Sequence, residues 1–396
     1  MRVIRGALAV LLLGFAIAGC GGGDDSGGGD DGDSRQPVLG AGGEEEQADV
    51  PVLGFPVIAT KNTTRVAGAD PASNAAAVAR AVYPARTEES SPRAVVIVEQ
   101  GDWRSALSAA QLMSRPLRAP ILFSNGGELP PASAEALEEL APSGADEAGG
   151  AQVIRVGNAA EPPNRRVSDV EGASSASLAQ AIDALQGAAA GEPSDAVIVA
   201  PADAPQFAMP AAGWAAKSGD PILWTPRDTL PAETRAAIEA HKRPRIYVLG
   251  PEEAISEAVE RELRRLGRTR RIASPDPVTS AIEFARYSDG PFGWNVVDPG
   301  HGLVFAGVTR TLDAAAAAPL SATGTYGPLL LLTDATSLPE AVQEYLLDIQ
   351  PGYDQDPVRG VYNHGWLMGD ESAVSADVQS RIDALLEIQP VDTGGD

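Results

Sequence analysis

Three ordered copies of one strand–helix–strand pattern constrain this chain more than any other feature. The first runs from Ala94-Val95-Val96-Ile97-Val98 through an alanine-rich stretch to Ala119-Pro120-Ile121-Leu122-Phe123. The second runs from Ala196-Val197-Ile198-Val199-Ala200 to Asp220-Pro221-Ile222-Leu223-Trp224, and the third from Gly302-Leu303-Val304-Phe305-Ala306 to Gly327-Pro328-Leu329-Leu330-Leu331. Pro120, Pro221 and Pro328 are separated by 101 and 107 residues. Recurrence in the same order at such a period marks a repeated supersecondary unit. Each copy continues through a Leu-Pro pair (Leu129-Pro130, Leu230-Pro231, Leu338-Pro339), read as a helix start because a first-turn residue needs no N–H. Apolar residues at helical spacing follow, as in Ala134, Leu137 and Leu140, and then a strand ending at Gly157, Gly250 or Gly369. In copies two and three Ala254-Ile255-Ser256 and Ala373-Val374-Ser375 cap a further helix. Short apolar strands alternating with helices predict an α/β fold, a parallel sheet covered on both faces in each copy.

The N-terminus carries a different signal. Arg2 and Arg5 precede the apolar run Ala7 to Ala16, too short for a membrane span, which needs roughly 20 residues. The run stops at Ile17-Ala18-Gly19-Cys20, and Cys20 is the only cysteine. This reads as a lipoprotein signal peptide over residues 1–19, with Cys20 as the lipid (diacylglyceryl and palmitate) attachment point. The expected location is the extracytoplasmic face of the cell membrane. Residues 20–50, mostly Gly and Asp, have too little apolar surface to offset the entropy of ordering and read as a solvated tether. Globular composition begins at residue 51. The formal charge of −24, from 54 acidic against 30 basic residues, argues against nucleic acid as a partner. Nine of those acids fall between Asp24 and Asp49, so the body is only moderately acidic.

The repeated motifs resemble the cell-wall-binding repeat family, the type-two repeat of surface-layer and other Gram-positive wall proteins. That pattern has an opening R-x-x-G-x-D, an F-A-D-A-L-S-A helix, a P-I-L-L strand, an L-P helix, a strand to glycine, and A-V-S. The first copy offers Arg65-Val66-Ala67-Gly68-Ala69-Asp70 as the opening, then Trp103-Arg104-Ser105-Ala106-Leu107-Ser108-Ala109. The second has Phe207-Ala208 and the third Leu312-Asp313-Ala314 in the helix motif. The opening is altered to Arg166-Val167-Ser168-Asp169 in the second and Arg271-Ile272-Ala273-Ser274-Pro275-Asp276 in the third. The resemblance implies three tandem small Rossmann-like parallel-sheet modules in a pseudo-threefold arrangement, expected at residues 51–160, 161–266 and 267–396. It further implies non-covalent binding of a cell-wall polymer, a carbohydrate and in this family an anionic one, with no catalysis and no cofactor.

Several residues suit such a role. Arg65 and Asp70 offer a guanidinium fork and a carboxylate to phosphates or hydroxyls, or else a loop ion pair and a helix cap. Asp313 is the surviving family aspartate, or else a charge favouring a helix N-terminus. Trp103, beside Gly101-Asp102, is the tryptophan a loop would expose for sugar stacking. Arg264, Arg265 and Arg268 belong to the one dense basic stretch, Arg261 to Arg271, and are the expected polyanion contact in an acidic body. His241, His301 and His364 are scattered without metal-ligand spacing, and no nucleophile elbow, P-loop or dinucleotide fingerprint occurs. The competing reading is a substrate-binding lipoprotein of a transporter, which two lobes around one deep polar cleft would mark.

Overall fold

The computed structural model describes residues 57–66 and 68–391, so the leader, Cys20 and the tether lie outside the described residues. Within that span every repeat lays down the same series. An opening strand (Thr63–Val66, Val167–Val170, Arg268–Ile272) leads to an opening helix (Pro71–Val82, Ser175–Ala190, Pro277–Arg286). A central strand follows (Val95–Glu99, Ala196–Pro201, Gly302–Gly307), then an inner helix (Trp103–Ala109, Ala211–Ser218, Thr311–Ser321). Next come a proline strand (Ile121–Ser124, Ile222–Thr225, Tyr326–Leu332) and an outer helix (Pro131–Leu140, Ala232–Ala240, Glu340–Asp348). A glycine strand (Val153–Val156, Arg245–Leu249, His364–Met368) completes the series. The second and third repeats add a trailing helix, Glu257–Leu266 and Ala376–Leu386.

Three parallel sheets result, each in the order proline strand, central strand, glycine strand, opening strand. The opening strand always comes from the next repeat: Val167–Val170 pairs with Val153–Val156, and Arg268–Ile272 with Arg245–Leu249. The third sheet takes the N-terminal Thr63–Val66, paired parallel with His364–Met368, and the ring of modules closes. Val57–Ala59 adds a short antiparallel edge beyond it. Three module sheets, and not two lobes, make up the body among the described residues, with a small two-stranded pair, Gly352–Tyr353 and Gln389–Pro390, beside them. Among the described residues no helix is long and apolar enough to cross a membrane.

The alanine runs explain how three modules share one core. The inner helices meet one another, the third touching both the first and the second. Ala106 and Ala109, Ala211, Ala212, Ala215 and Ala216, and Ala314 to Ala318 are all buried there. Small side chains let helix axes approach closely, so the modules pack at interior density without bulky filling. At Gly213 even a methyl would come within 2.8 Å of the Ser321 hydroxyl on the third inner helix.

One sequence expectation shifts by a residue. Pro130, Pro231 and Pro339 are N-caps rather than first-turn residues, with φ of −55°, −57° and −56° and extended ψ. Their carbonyls accept the first intrahelical bonds, from Ala134, Arg235 and Gln343, each at 3.0 Å. Proline's fixed φ suits that extended entry, and the missing N–H is not needed there. Ser256 and Ser375 cap the trailing helices as the sequence indicates, though only Ser375 bonds through its side chain, to the Val378 N–H at 3.2 Å.

Candidate functional site

The opening motif is the first place to look for ligand chemistry, and the structure gives it architectural work. Arg65 is 1 % exposed. Its Nε donates to Gln379 Oε1 at 2.9 Å, and its Nη1 to the carbonyls of Asp370 at 2.9 Å and Gly369 at 3.2 Å. The guanidinium thus ties the opening strand to the turn after the glycine strand and to the trailing helix. Burial holds its pKa below the ordinary arginine value. A group so enclosed is not presented to a polymer. Asp70 is exposed, but its carboxylate accepts from the N–H groups of Ala72 and Ser73 at 2.9 and 3.0 Å and caps the opening helix. Asp276 repeats that cap on Val278 and Thr279, and Ser174 caps the second opening helix.

The same geometry identifies the true counterparts. Arg271 donates to the Gly250 carbonyl at 2.7 Å, the Ile255 carbonyl at 2.8 Å and Glu260 Oε2 at 2.9 Å, which matches Arg65 element for element. In the second repeat the equivalent residue is Asp169, not Arg166. Asp169 accepts from Arg155 Nε at 2.6 Å, an ion pair across the strands where the other two sheets set Leu367 opposite Arg65 and Val248 opposite Arg271. Gly68 and Gly172 are also equivalent: a Cβ on either would lie 2.7 Å from Asn74 N or 2.6 Å from Leu178 N.

Ligands of doubly wound sheets bind in the crevice beyond the carboxyl ends of the strands, where the connections diverge. Here that point lies between the central and glycine strands, and the three copies have become unlike. In the first module Asp102 caps the inner helix on Ser105 N at 3.1 Å. In the third, Arg310 occupies the position of Asp102, and its Nε donates to Asp313 Oδ2 at 2.5 Å. Asp313 is fully buried and also accepts from Asn74 Nδ2 at 3.0 Å. Burial pushes its carboxyl up, against the pull of Arg310. The family aspartate therefore closes a core ion pair. In the middle module Ala204 and Phe207 stand at the two positions, and the crevice is open. It measures about 540 Å³ and is lined by Phe207, Arg271, Glu253, Ser274 and neighbouring alanines and prolines. An apolar floor with a few polar groups at the rim is the usual make-up of a small-ligand site.

Trp103 is half-buried, packed edge-to-face on Trp224 with ring centroids 5.3 Å apart, and Arg104 lies 4.5 Å above it. It seals the contact between the first and second modules more than it offers a stacking face. The basic stretch divides. Arg264 is paired to Glu260 at 2.5 Å and Arg268 lies 3.8 Å from Asp289, while the exposed Arg265 has no acidic partner among the described residues. Glu260 joins Arg264 to Arg271 and hence to the rim of the open crevice. Asn74 and Arg310 escape sequence reasoning because their roles appear only when the three crevices are superposed, whereas Phe207 is visible in the helix motif.

The body is thus a closed ring of three doubly wound α/β modules. Residues 167–260, which hold the middle module's helices and three of its strands, match the family described as cell wall binding domain 2 (CWB2). Among solved structures the chain is similar to Cwp8 from Clostridium difficile, with a TM-score of 0.63 and 17% identity over 83% of this chain and 52% of that one. It is likewise similar to Cwp6 from Clostridium difficile, with a TM-score of 0.65 and 17% identity over 82% of this chain and 48% of that one. The chain spans about half the length of each. No curated protein sequence matches it. The fold implied by the opening resemblance is the fold observed.

Proposed function

We propose that this protein is a membrane-anchored envelope lipoprotein that holds a cell-wall glycopolymer non-covalently. The observation that supports the reading is that residues 167–260, which match CWB2, supply Phe207, Glu253 and their neighbours to the open crevice of the middle module. The reading keeps the exposed Arg265 and Arg268 as cationic contacts on a separate face, since Arg268 opens its strand opposite Arg245 while the crevice lies beyond the strand ends, and lipid on Cys20 holds the body near the wall. Weak contacts gain from effective concentration when binder and polymer are confined to one envelope. The test is retention of the full chain on purified walls, intact and stripped of secondary polymer. Equal retention on both would refute polymer recognition. Incorporation of labelled palmitate that survives a Cys20→Ser substitution would refute the anchor.

A further inference from the structure

A second cleft lies on the opposite, amino-terminal side of the middle sheet, where the first repeat meets the second. It measures about 290 Å³ and is lined by Gln111 and Arg115 from the first repeat and by Asp183, Gln186, Glu192 and Asp195 from the second. The wall is almost wholly polar and rich in acceptors. Asp183 is already held, by His241 Nε2 at 2.8 Å and Gln111 Nε2 at 3.2 Å, and Gln111 also donates to the Gly219 carbonyl at 2.8 Å. These bonds fix the cleft's back wall.

Gln186 makes the cleft more than a polar dent. It is 4 % exposed, and its Nε2 donates to the Arg115 carbonyl at 2.7 Å. That bond fixes the amide's orientation, since a flipped amide would set oxygen against oxygen. Its Oε1 is then a buried acceptor with no donor among the described residues. The Ser114 hydroxyl, 3 % exposed, is unpartnered too, and lies 3.0 Å from where a side chain on the cleft-lining Gly219 would begin. Buried polar atoms left without partners are rare and mark places where a missing group belongs. The carboxylates of Glu192 and Asp195, both exposed, stand at the mouth. They outnumber Arg115, the exposed cation that lines the same cleft, and so favour a ligand that donates hydrogen bonds or carries positive charge.

We propose that this cleft is a saccharide subsite for an amino sugar, with Gln186 Oε1 accepting from a ring hydroxyl and Glu192 and Asp195 receiving the amino group. The inference rests on the wall-polymer reading above and names a recognition element within it. On this reading an acidic body engages a wall polymer through the polymer's donor-bearing units.

The probes are three tetrasaccharides: β-1,4-linked glucosamine, its N-acetylated counterpart and the anionic galacturonate tetramer, titrated calorimetrically into the full chain. The glucosamine tetramer is expected to bind most tightly and the galacturonate tetramer least. Gln186→Met, which keeps the chain length and removes the acceptor, should weaken binding about tenfold, and Glu192→Gln, on the surface, about threefold. Glu192→Gln keeps the test decisive if Gln186→Met fails to fold. Equal binding by wild type and Glu192→Gln, or preference for the galacturonate tetramer, would overturn the proposal. No tetramer binding by a chain that still holds intact wall would overturn the subsite and leave the wall-polymer reading standing. Loss of both would overturn both.

Discussion

Replacing Arg65 with methionine separates an architectural arginine from a ligand-binding one. Methionine preserves most of the buried stem, so little cavity forms, but the guanidinium is lost and two acceptors are stranded, Gln379 Oε1 and the Gly369 carbonyl, while the Asp370 carbonyl keeps the Ala373 and Val374 N–H groups. Stranding buried acceptors that had faced a charged donor costs about 2–4 kcal/mol in sum. Unfolding entropy of about 2.1 cal/mol/K per residue gives about 0.7 kcal/mol/K for a body of this size, so Tm should fall by about 3–6 °C. Differential scanning calorimetry measures this, and Arg271→Met, which strands the corresponding Gly250 and Ile255 carbonyls, should show a similar fall. Wall retention of either variant, measured well below its Tm, should match wild type. Unchanged melting with lost retention at Arg65→Met would refute the reasoning, because it would show the guanidinium serving a ligand.

Three further outcomes follow from packing and charge. Gly213→Val should destabilise by about 1–3 kcal/mol, because its Cβ meets Ser321 across the inner-helix contact, and Ser321→Gly should recover part of the loss in denaturant titrations. Asp334 accepts from the N–H groups of Thr336 and Ser337, each at 2.8 Å, and the Ser337 and Thr336 hydroxyls join in holding its pKa down to about 2. A depressed carboxylate stabilises the fold above its unfolded value near 3.8, and that stabilisation is lost as pH falls through about 2; a carboxyl carbon titration with its midpoint at 3.8 or higher would contradict this. Arg265→Glu should leave stability within about 0.5 kcal/mol of wild type, since the residue is exposed, while lowering wall retention most at low salt; equal retention would remove this cation from the binding surface.

The repeat order was legible because local chemistry writes it. Proline followed by Ile-Leu, Leu-Pro before a helical run, and a strand stopping at glycine each act within a few residues, and all three modules obey them. Partnership between distant segments left no such trace. Nothing in Thr63–Val66 announces pairing with His364–Met368, because a parallel ladder is indifferent to chain distance. The sequence left the roles of the site residues open for the same reason, although a helix cap at Asp70 was one of its two readings. Arg65, Asp70 and Asp313 have types suited to ligands, and only burial and capping show them engaged by the protein itself. One clue was present: Arg65 with Asp70 and Arg271 with Asp276 share a spacing, and applying it to the second repeat picks Asp169 with Ser174 over Arg166.

Ring closure sets a timetable for folding. Thr63–Val66 is among the first parts of the body to leave the ribosome, and its partner strand is synthesised roughly three hundred residues later. Until then the earliest strand has an open ladder, and the contacts around it carry the largest loop-closure entropy in the molecule. Joining head to tail therefore cannot precede synthesis of the last repeat. Damage near either end strikes the same sheet, as the Asn62 N–H shows by donating to Asp383 Oδ1 at 2.7 Å.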